Sequence, residues 1–337
     1  MNIRDVADRA KVSTATVSRV MSGIDVVKPA TVARVRQAIA ELGYVPNSSA
    51  RTLSMGRSRL FGVIISDITN PFFPELIHTF NELAVQHHYR AVFANTNYDP
   101  ARMEASIQGL LEQHVEGIAV MTSEMGPHLI RMVADRGIPL IFLDQPISQK
   151  NLSHIVVDYK AGMKQAIDHI TSLGHKRIAF IGGPQNLRSA VWRQSFFMQA
   201  LKEKGIRMDK DCVATGNHRV DGGYAAMQQL LQRKPAFTAV LTSNDLTAIG
   251  AISAIYEAGL QVPRDISVVG FDDIEISGSF NPPLTTVRLS RAEIATRAFF
   301  ALYASATQTL APRVEHRIPT SLIIRKSTAP PQGKAGA

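Results

Sequence analysis

The strongest constraint on this fold is an alternation that begins at Leu60. Short apolar runs (LFGVIIS, YRAVFANT, GIAVMTS, IPLIFLD, RIAFIGG, TAVLTSN and DISVVGFDD) are separated by stretches of helical spacing such as 75–87 and 246–258. Runs that are apolar at consecutive positions suit strands buried on both faces, and the intervening helices supply the cover, so the pattern predicts parallel sheets. The alternation continues over about 265 residues, more than one such core holds, so two α/β units are expected. HIVVDYKAG, at 154–162, is placed to carry the chain from one unit to the other. Pro282 and Pro283 are expected to shape a crossover between lobes, and the tail STAPPQGKAGA is expected to be disordered for want of apolar residues.

The first sixty residues differ in kind. They carry ten basic and four acidic side chains, which accounts for most of the net charge of +9. A basic head on a nearly neutral body points to a polyanionic partner for the head. Asn2 is placed to cap a first helix, with Asp5 returning the bond and Val6, Ala7 and Ala10 on one face. Val12 marks a tight turn. Ser13 caps a second helix with Val17 and Val20 inward, which Gly23 stops. Pro29 opens a third, whose stripe is Val32, Val35, Ile39 and Leu42 and whose terminator is Gly43. This is a helix-turn-helix. Its second helix presents Thr14, Ala15, Thr16, Ser18 and Arg19, short groups that approach base edges and an arginine suited to guanine.

IRDVADRAKVSTATVSRVMSG followed by ELGYVPNSSARTL resembles the signature head of the LacI/GalR (lactose-repressor) family, and the resemblance runs from residue 2 to about 327. It implies base reading by Thr14, Ala15 and Arg19. It also implies a hinge helix in which Asn47, Ala50, Arg51 and Leu53 enter the minor groove, with Leu53 wedging a base step apart. The domain plan is 1–45 for the helix-turn-helix, 46–59 for hinge and linker, 60–328 for the effector-binding and dimerisation core, and 329–337 for a disordered tail. Within the core the resemblance implies two Rossmann-like lobes of the periplasmic-binding-protein type I kind, one about 60–158 with 289–318, the other about 159–286 with 319–328. The fold class is thus an all-α head on an α/β body.

Polar residues cluster where the apolar runs end, which is where open parallel sheets bind ligands. The resemblance assigns ligand contacts to Asn70, Phe72, Phe73, Asp144, Arg193, Asn244 and Asp272, with Ser123 and His218 as weaker assignments. Aromatic faces combined with carboxylate, amide and guanidinium suit a polyhydroxylated ring. Where some relatives carry arginine after the position of Asp144 and glutamine near the last crossover, this chain has Gln145, Arg288 and Leu289. Arg188 and Arg288 would tolerate an anion, so a sugar acid stands beside a sugar as the expected effector. At strand ends, Asp158 and Asp273 read equally well as helix caps.

HExxH, GxSxG and GxxxxGKS are absent, so neither enzyme, cofactor nor metal is expected. His87 and His88 are adjacent and face different ways on a helix. The single cysteine, Cys212, allows no internal disulfide. The N-terminal stretch MNIRDVADRA carries acids and has no apolar core, so no signal peptide is expected, and no run reaches the ~18 residues of a membrane span. The expectation is a cytoplasmic bacterial homodimer on a near-palindromic operator, a repressor governed by a small polar metabolite. The alternative is an exported sugar-binding protein of a transport system, which would leave the basic head unexplained.

Overall fold

The computed structural model describes residues 1–21, 26–44, 57–122, 125–144, 153–233, 237–308 and 315–332. The chain forms two compact units, Met1–Ser58 and Arg59–Ala337.

In the head, α1 (Ile3–Ala10) starts from a complete capping box. Asn2 Oδ1 accepts from the Arg4 and Asp5 amides, and Asp5 accepts from the Asn2 amide at 2.7 Å. Lys11 ends the helix in the left-handed region (φ 53°) and turns the chain into α2 (Thr14–Met21). Ser13 Oγ accepts from the Thr16 amide, as the sequence predicts. Pro29 opens α3 (Pro29–Leu42) and Gly43, at φ 58°, closes it. Val6, Val17 and Val35 are fully buried at the centre, and Val32, Ile39 and Leu42 pack half-buried around them. Gly23 and the predicted helix NSSARTLS lie outside the described residues.

The body contains two six-stranded sheets. The first holds β1 (Leu60–Ile65), β2 (Arg90–Asn95), β3 (Gly117–Val120), β4 (Leu140–Leu143), β5 (Ser153–Val157) and β11 (Glu315–Ile318), in the order β11-β5-β4-β3-β1-β2 and wholly parallel. The second holds β6 (Ile178–Gly182), β7 (Val213–Thr215), β8 (Ala239–Thr242), β9 (Ser267–Asp272), β10 (Thr285–Leu289) and β12 (Thr320–Ile323). Its order is β12-β10-β9-β8-β6-β7, with only β12 antiparallel to its neighbour. β1, β3, β4, β6, β8 and β9 are buried along their whole lengths, which is why the sequence shows continuous apolar runs there and not a period of two.

The connecting helices are α4 (Phe72–Gln86), α5 (Pro100–Glu112), α6 (Pro127–Ala134), α7 (Tyr159–Ser172), α8 (Arg188–Glu203), α9 (Val220–Gln232), α10 (Asp245–Glu257), α11 (Glu275–Ser279) and α12 (Arg291–Thr307). The chain passes between lobes at 157–159, as HIVVDYKAG suggests, and again at 289–291 and 318–320. α12 therefore returns to the first lobe, where Phe299 packs edge-on against Phe61 and Phe80.

Three expectations need correction. Pro282 and Pro283 sit between α11 and β10 inside the second lobe, so they shape no crossover between lobes. α4 begins at Phe72, three residues before the predicted start; Pro71 precedes it, and Asn70 Oδ1 accepts from the Phe72 amide at 3.0 Å. The tail is ordered through its first half. Ser327 is fully buried, donates to the Val268 carbonyl and accepts from the Thr285 amide, and the Ala329 carbonyl accepts from His175 at 2.9 Å and Ser267 at 3.0 Å. Polar side chains at Ser327 and Thr328 serve as strand-edge partners, which low hydrophobicity had disguised as disorder.

Candidate functional site

The carboxyl ends of the two sheets face one cavity. From the first lobe it is lined by Ser66 and Asn70 after β1, Phe72 and Phe73 at the start of α4, Thr122 after β3 and Asp144 after β4. From the second come Arg193 on α8, His218 before α9, Asn244 after β8 and Asp272 at the end of β9. The structure thus brings together every predicted ligand residue in the described segments. Ser123 lies outside them, beside the lining residue Thr122.

Arg193 is the hub. It is nearly fully buried, 7% exposed at its side chain, and pairs with Asp272 at 3.0 Å while donating to the Ser243 carbonyl at 2.5 Å. Its guanidinium lies 4.1 Å from the Phe271 ring centroid and 5.2 Å from that of Tyr159. Burial works against its charge, but the carboxylate of Asp272 and the neighbouring Tyr159 and Asp144 outweigh it and hold its pKa above the ordinary value. The tyrosine hydroxyl in turn donates to Asp144 Oδ2, and Asp144 Oδ1 accepts from the Val157 amide at 3.1 Å. Burial pushes the Asp144 carboxyl up to about 6, against the pull of these hydrogen bonds. His218 is held neutral: burial, then the charge of Arg193, drives its pKa down to about 3. Its Nε2 meets Ser243 Oγ at 2.8 Å.

Asn244 occupies both ends of its amide internally. Its Oδ1 caps α10 through the Thr247 amide, and its Nδ2 donates to the His218 carbonyl at 3.0 Å. It therefore braces the His218 turn from the cavity wall. Asp144, His218 and Asp272 all take positive φ, at 59°, 64° and 114°. Such conformations are uncommon outside glycine and cluster at functional sites, because they aim a side chain where an ordinary turn would not. Arg291 supports the Asp272 turn, donating to the carbonyls of Asp272 and Asp273 and pairing with Glu75 at 2.6 Å.

Two predicted arginines are not in the lining. Arg188 is exposed at the start of α8. Arg288 pairs with Asp273 at 2.6 Å, because alternation along β10 turns Val287 and Leu289 inward and Arg288 out. Asp158 acts as the cap of α7, and Asp273 serves Arg288 and Arg325. Sequence reasoning missed Tyr98, Leu143, Tyr159, Leu187 and Ser189 as lining residues. For Tyr159 a signal existed in its position directly after VVD, where the chain changes lobe. Among the described residues no group of three or more histidine, cysteine or acidic side chains could hold a metal ion.

In the head, Thr14, Ala15 and Arg19 are exposed on α2, while Thr16 and Ser18 are half-buried. Thr16 Oγ1 lies 3.0 Å from Ser13 Oγ, so it helps to fix the helix start. Asn47, Ala50, Arg51 and Leu53 lie outside the described residues.

A two-lobed body with a cavity between parallel sheets, attached to a helix-turn-helix unit, defines a ligand-responsive DNA-binding regulator. Residues 2–47 match the model for bacterial regulatory proteins of the lacI family, and residues 167–328 match that for a periplasmic binding protein-like domain. The chain is 34% identical over 331 residues to the HTH-type transcriptional repressor PurR of Pasteurella multocida, covering 96% of this chain and 98% of that one. It is 34% identical over 307 residues to the ribose operon repressor of Escherichia coli, covering 91% and 93%. Among solved structures it superposes on the lac repressor dimer bound to operator and the anti-inducer ONPF with a TM-score of 0.86, at 29% identity over 98% of this chain and 99% of the other. A LacI family transcriptional regulator from Enterococcus faecium with bound ribose gives 0.73 at 29% identity, covering 80% and 99%. The chain belongs to the lacI family, and it is a DNA-binding transcriptional repressor of that family. Among the described residues no helix is long and apolar enough to cross a membrane.

Proposed function

We propose that this repressor acts in the cytoplasm as a homodimer on a near-palindromic operator, and that a small neutral polyhydroxylated metabolite held between its lobes controls operator affinity. The observation that carries the effector reading is the lining of the cavity. Two carboxyl groups and a neutral imidazole surround one guanidinium that Asp272 already neutralises. Among the described residues such a lining offers strong acceptors to hydroxyl groups and no uncommitted cation to an anion. This favours a sugar over a sugar acid, a preference reinforced by the positions of Arg188 and Arg288 outside the lining. Phe72 and Phe73 provide apolar edges for the C–H face of a ring.

Asn70, Phe72, Phe73, Asp144, Arg193, His218, Asn244 and Asp272, with Ser123, form the proposed ligand set. Thr14, Ala15, Thr16, Ser18 and Arg19 form the base-reading surface, and Asn47, Ala50, Arg51 and Leu53 the minor-groove hinge. The lac repressor dimer on its operator supports two-fold binding by analogy. Arg19→Ala should relax base choice at one position of each half-site in a selection assay. A panel of neutral pentoses, hexoses and nucleosides, set against uronic acids and sugar phosphates, should contain a neutral compound that raises the melting temperature. At a hundredfold excess over Kd the stabilisation is about 2.7 kcal/mol, and Asp144→Asn should abolish most of it. Stabilisation by the anions alone would refute the neutral-effector reading, and an absence of operator preference would refute the repressor reading.

A further inference from the structure

A further polar contact joins the lobes beside the cavity. Asp67 follows β1 and is 4% exposed at its side chain, whereas Arg219, at the start of α9, is 47% exposed. Arg219 Nε and Nη2 both reach Asp67 Oδ2, at 3.1 and 2.7 Å, and Nη2 also donates to Asn97 Oδ1 at 3.1 Å. The acceptors are pre-set on the first lobe. Thr69 donates to Asp67 Oδ1 through both its amide and its hydroxyl, which leaves Oδ2 for the arginine. Asn97 is held at φ 49° in the turn after β2. Burial raises the Asp67 carboxyl, yet the bonds from Thr69 and Arg219 outweigh it and keep the pKa below the usual value, so the group is ionised.

The neighbours of these residues give the contact its meaning. Ser66 and Asn70 flank Asp67, Tyr98 follows Asn97, and His218 precedes Arg219, and all four line the cavity. The exposed guanidinium marks the solvent side of that wall. We propose that Arg219, Asp67 and Asn97 form a clasp across the mouth of the cavity, which parts to let a ligand pass and sets how readily the lobes separate. Two features distinguish it from an ordinary surface pair. One partner is buried and fixed before the other arrives, and the bond spans residues 152 positions apart on different lobes.

The clasp rests on reading the cavity as a ligand site, but its test needs no ligand. Amide hydrogen exchange on the full chain should show faster exchange at residues 66–73 and 217–224 in Arg219→Met than in the parent. The expected factor is about fivefold, the scale of one partly exposed pair. Asp67→Asn should give a similar factor, and the double variant no more than either single change. Raising NaCl to 1 M should accelerate exchange of these segments in the parent and leave Arg219→Met unchanged. The core segment 103–110 should stay at parental rates in every variant. Parental exchange in Arg219→Met would overturn the clasp, as would a double variant whose effects simply multiply. Should Asp67→Asn destabilise the whole body, Asn97→Ala serves in its place, with a smaller acceleration confined to the same segments.

Discussion

Asp245 accepts from the Ile274 amide at 2.9 Å, Ser277 Oγ at 2.8 Å and Thr286 Oγ1 at 2.5 Å, all in a fully buried setting. It ties the start of α10 to the turn that carries Asp272. Burial, with the negative charge of Asp272, pushes its carboxyl up to about 7. The folded state therefore retains a proton that the unfolded chain gives up near pH 4, and stability falls as pH rises through that window. Asp144, pushed up to about 6, acts in the same direction. His218, pushed down to about 3, acts oppositely: the unfolded chain takes up a proton below about pH 6.5 that the folded state refuses, so its contribution is lost as pH drops. Asp245→Asn offers one acceptor oxygen to three donors and should cost about 1–3 kcal/mol at pH 5. Denaturant titrations at successive pH values should show that deficit narrowing as pH rises from about 4 to about 7 and levelling off above that; a deficit independent of pH would contradict the raised carboxyl. Single residues also show where sequence reading succeeds. Asp144 and Asp272 were legible as cavity residues because a polar residue ending a fully apolar run has to emerge at a sheet's carboxyl edge, whereas Asn70, five residues beyond the end of β1, was placed by the family resemblance. Arg288 was misread because its facing depends on the strand's alternation, and Tyr98 and Arg219 went unseen because their roles depend on which loops of two lobes meet.

The elements follow local rules closely, and the departures lie at their contacts. A capping box marked the start of α1 and a proline at the first helical position that of α3, while periodicity alone placed the start of α4 a turn late because Phe72 and Phe73 serve both helix and cavity. What no pattern announces is the intimacy of α9 and α10. A methyl group added at Gly250 would lie 2.0 Å from the Val220 carbonyl oxygen, and one at Gly223 would lie 2.3 Å from that of Thr247. The helices cross backbone to backbone, which only glycine permits. Since backbone cannot rotate aside as a side chain can, Gly250→Ala should destabilise the body by about 3 kcal/mol, at or above the usual range for overpacking. Gly109, in α5, has nothing within 4 Å of the corresponding position. Gly109→Ala should accordingly stabilise the chain by up to about 1 kcal/mol through helix propensity. Denaturation midpoints of the two variants should move in opposite directions.

At the scale of the molecule, the sequence showed two α/β units but not the way they interlace. The last forty residues of the described body visit both lobes, with α12 and β11 completing the first and β12 the second. The closing strap beyond β12 belongs to the second sheet's edge: Val268 N donates to the Ser327 carbonyl at 2.8 Å, and Ser327 Oγ bonds both Val268 and Thr285. Ending the chain at Lys326 would strand these buried backbone groups, at a cost of about 1 kcal/mol or more each. Thermal unfolding of that truncated protein should begin several degrees below the parent, whereas ending at Gln332 should leave it unchanged. Equal melting temperatures for both truncations would show the strap to be dispensable.

The three passages between lobes also order events in time. A ribosome delivers the head first, and its small core around Val6, Val17 and Val35 needs nothing synthesised later. The sensor cannot be finished until Arg291–Thr307 and the strands after it have emerged, since each lobe waits for them. Premature termination anywhere in that long interval leaves the head attached to lobes that have no complete sheet between them.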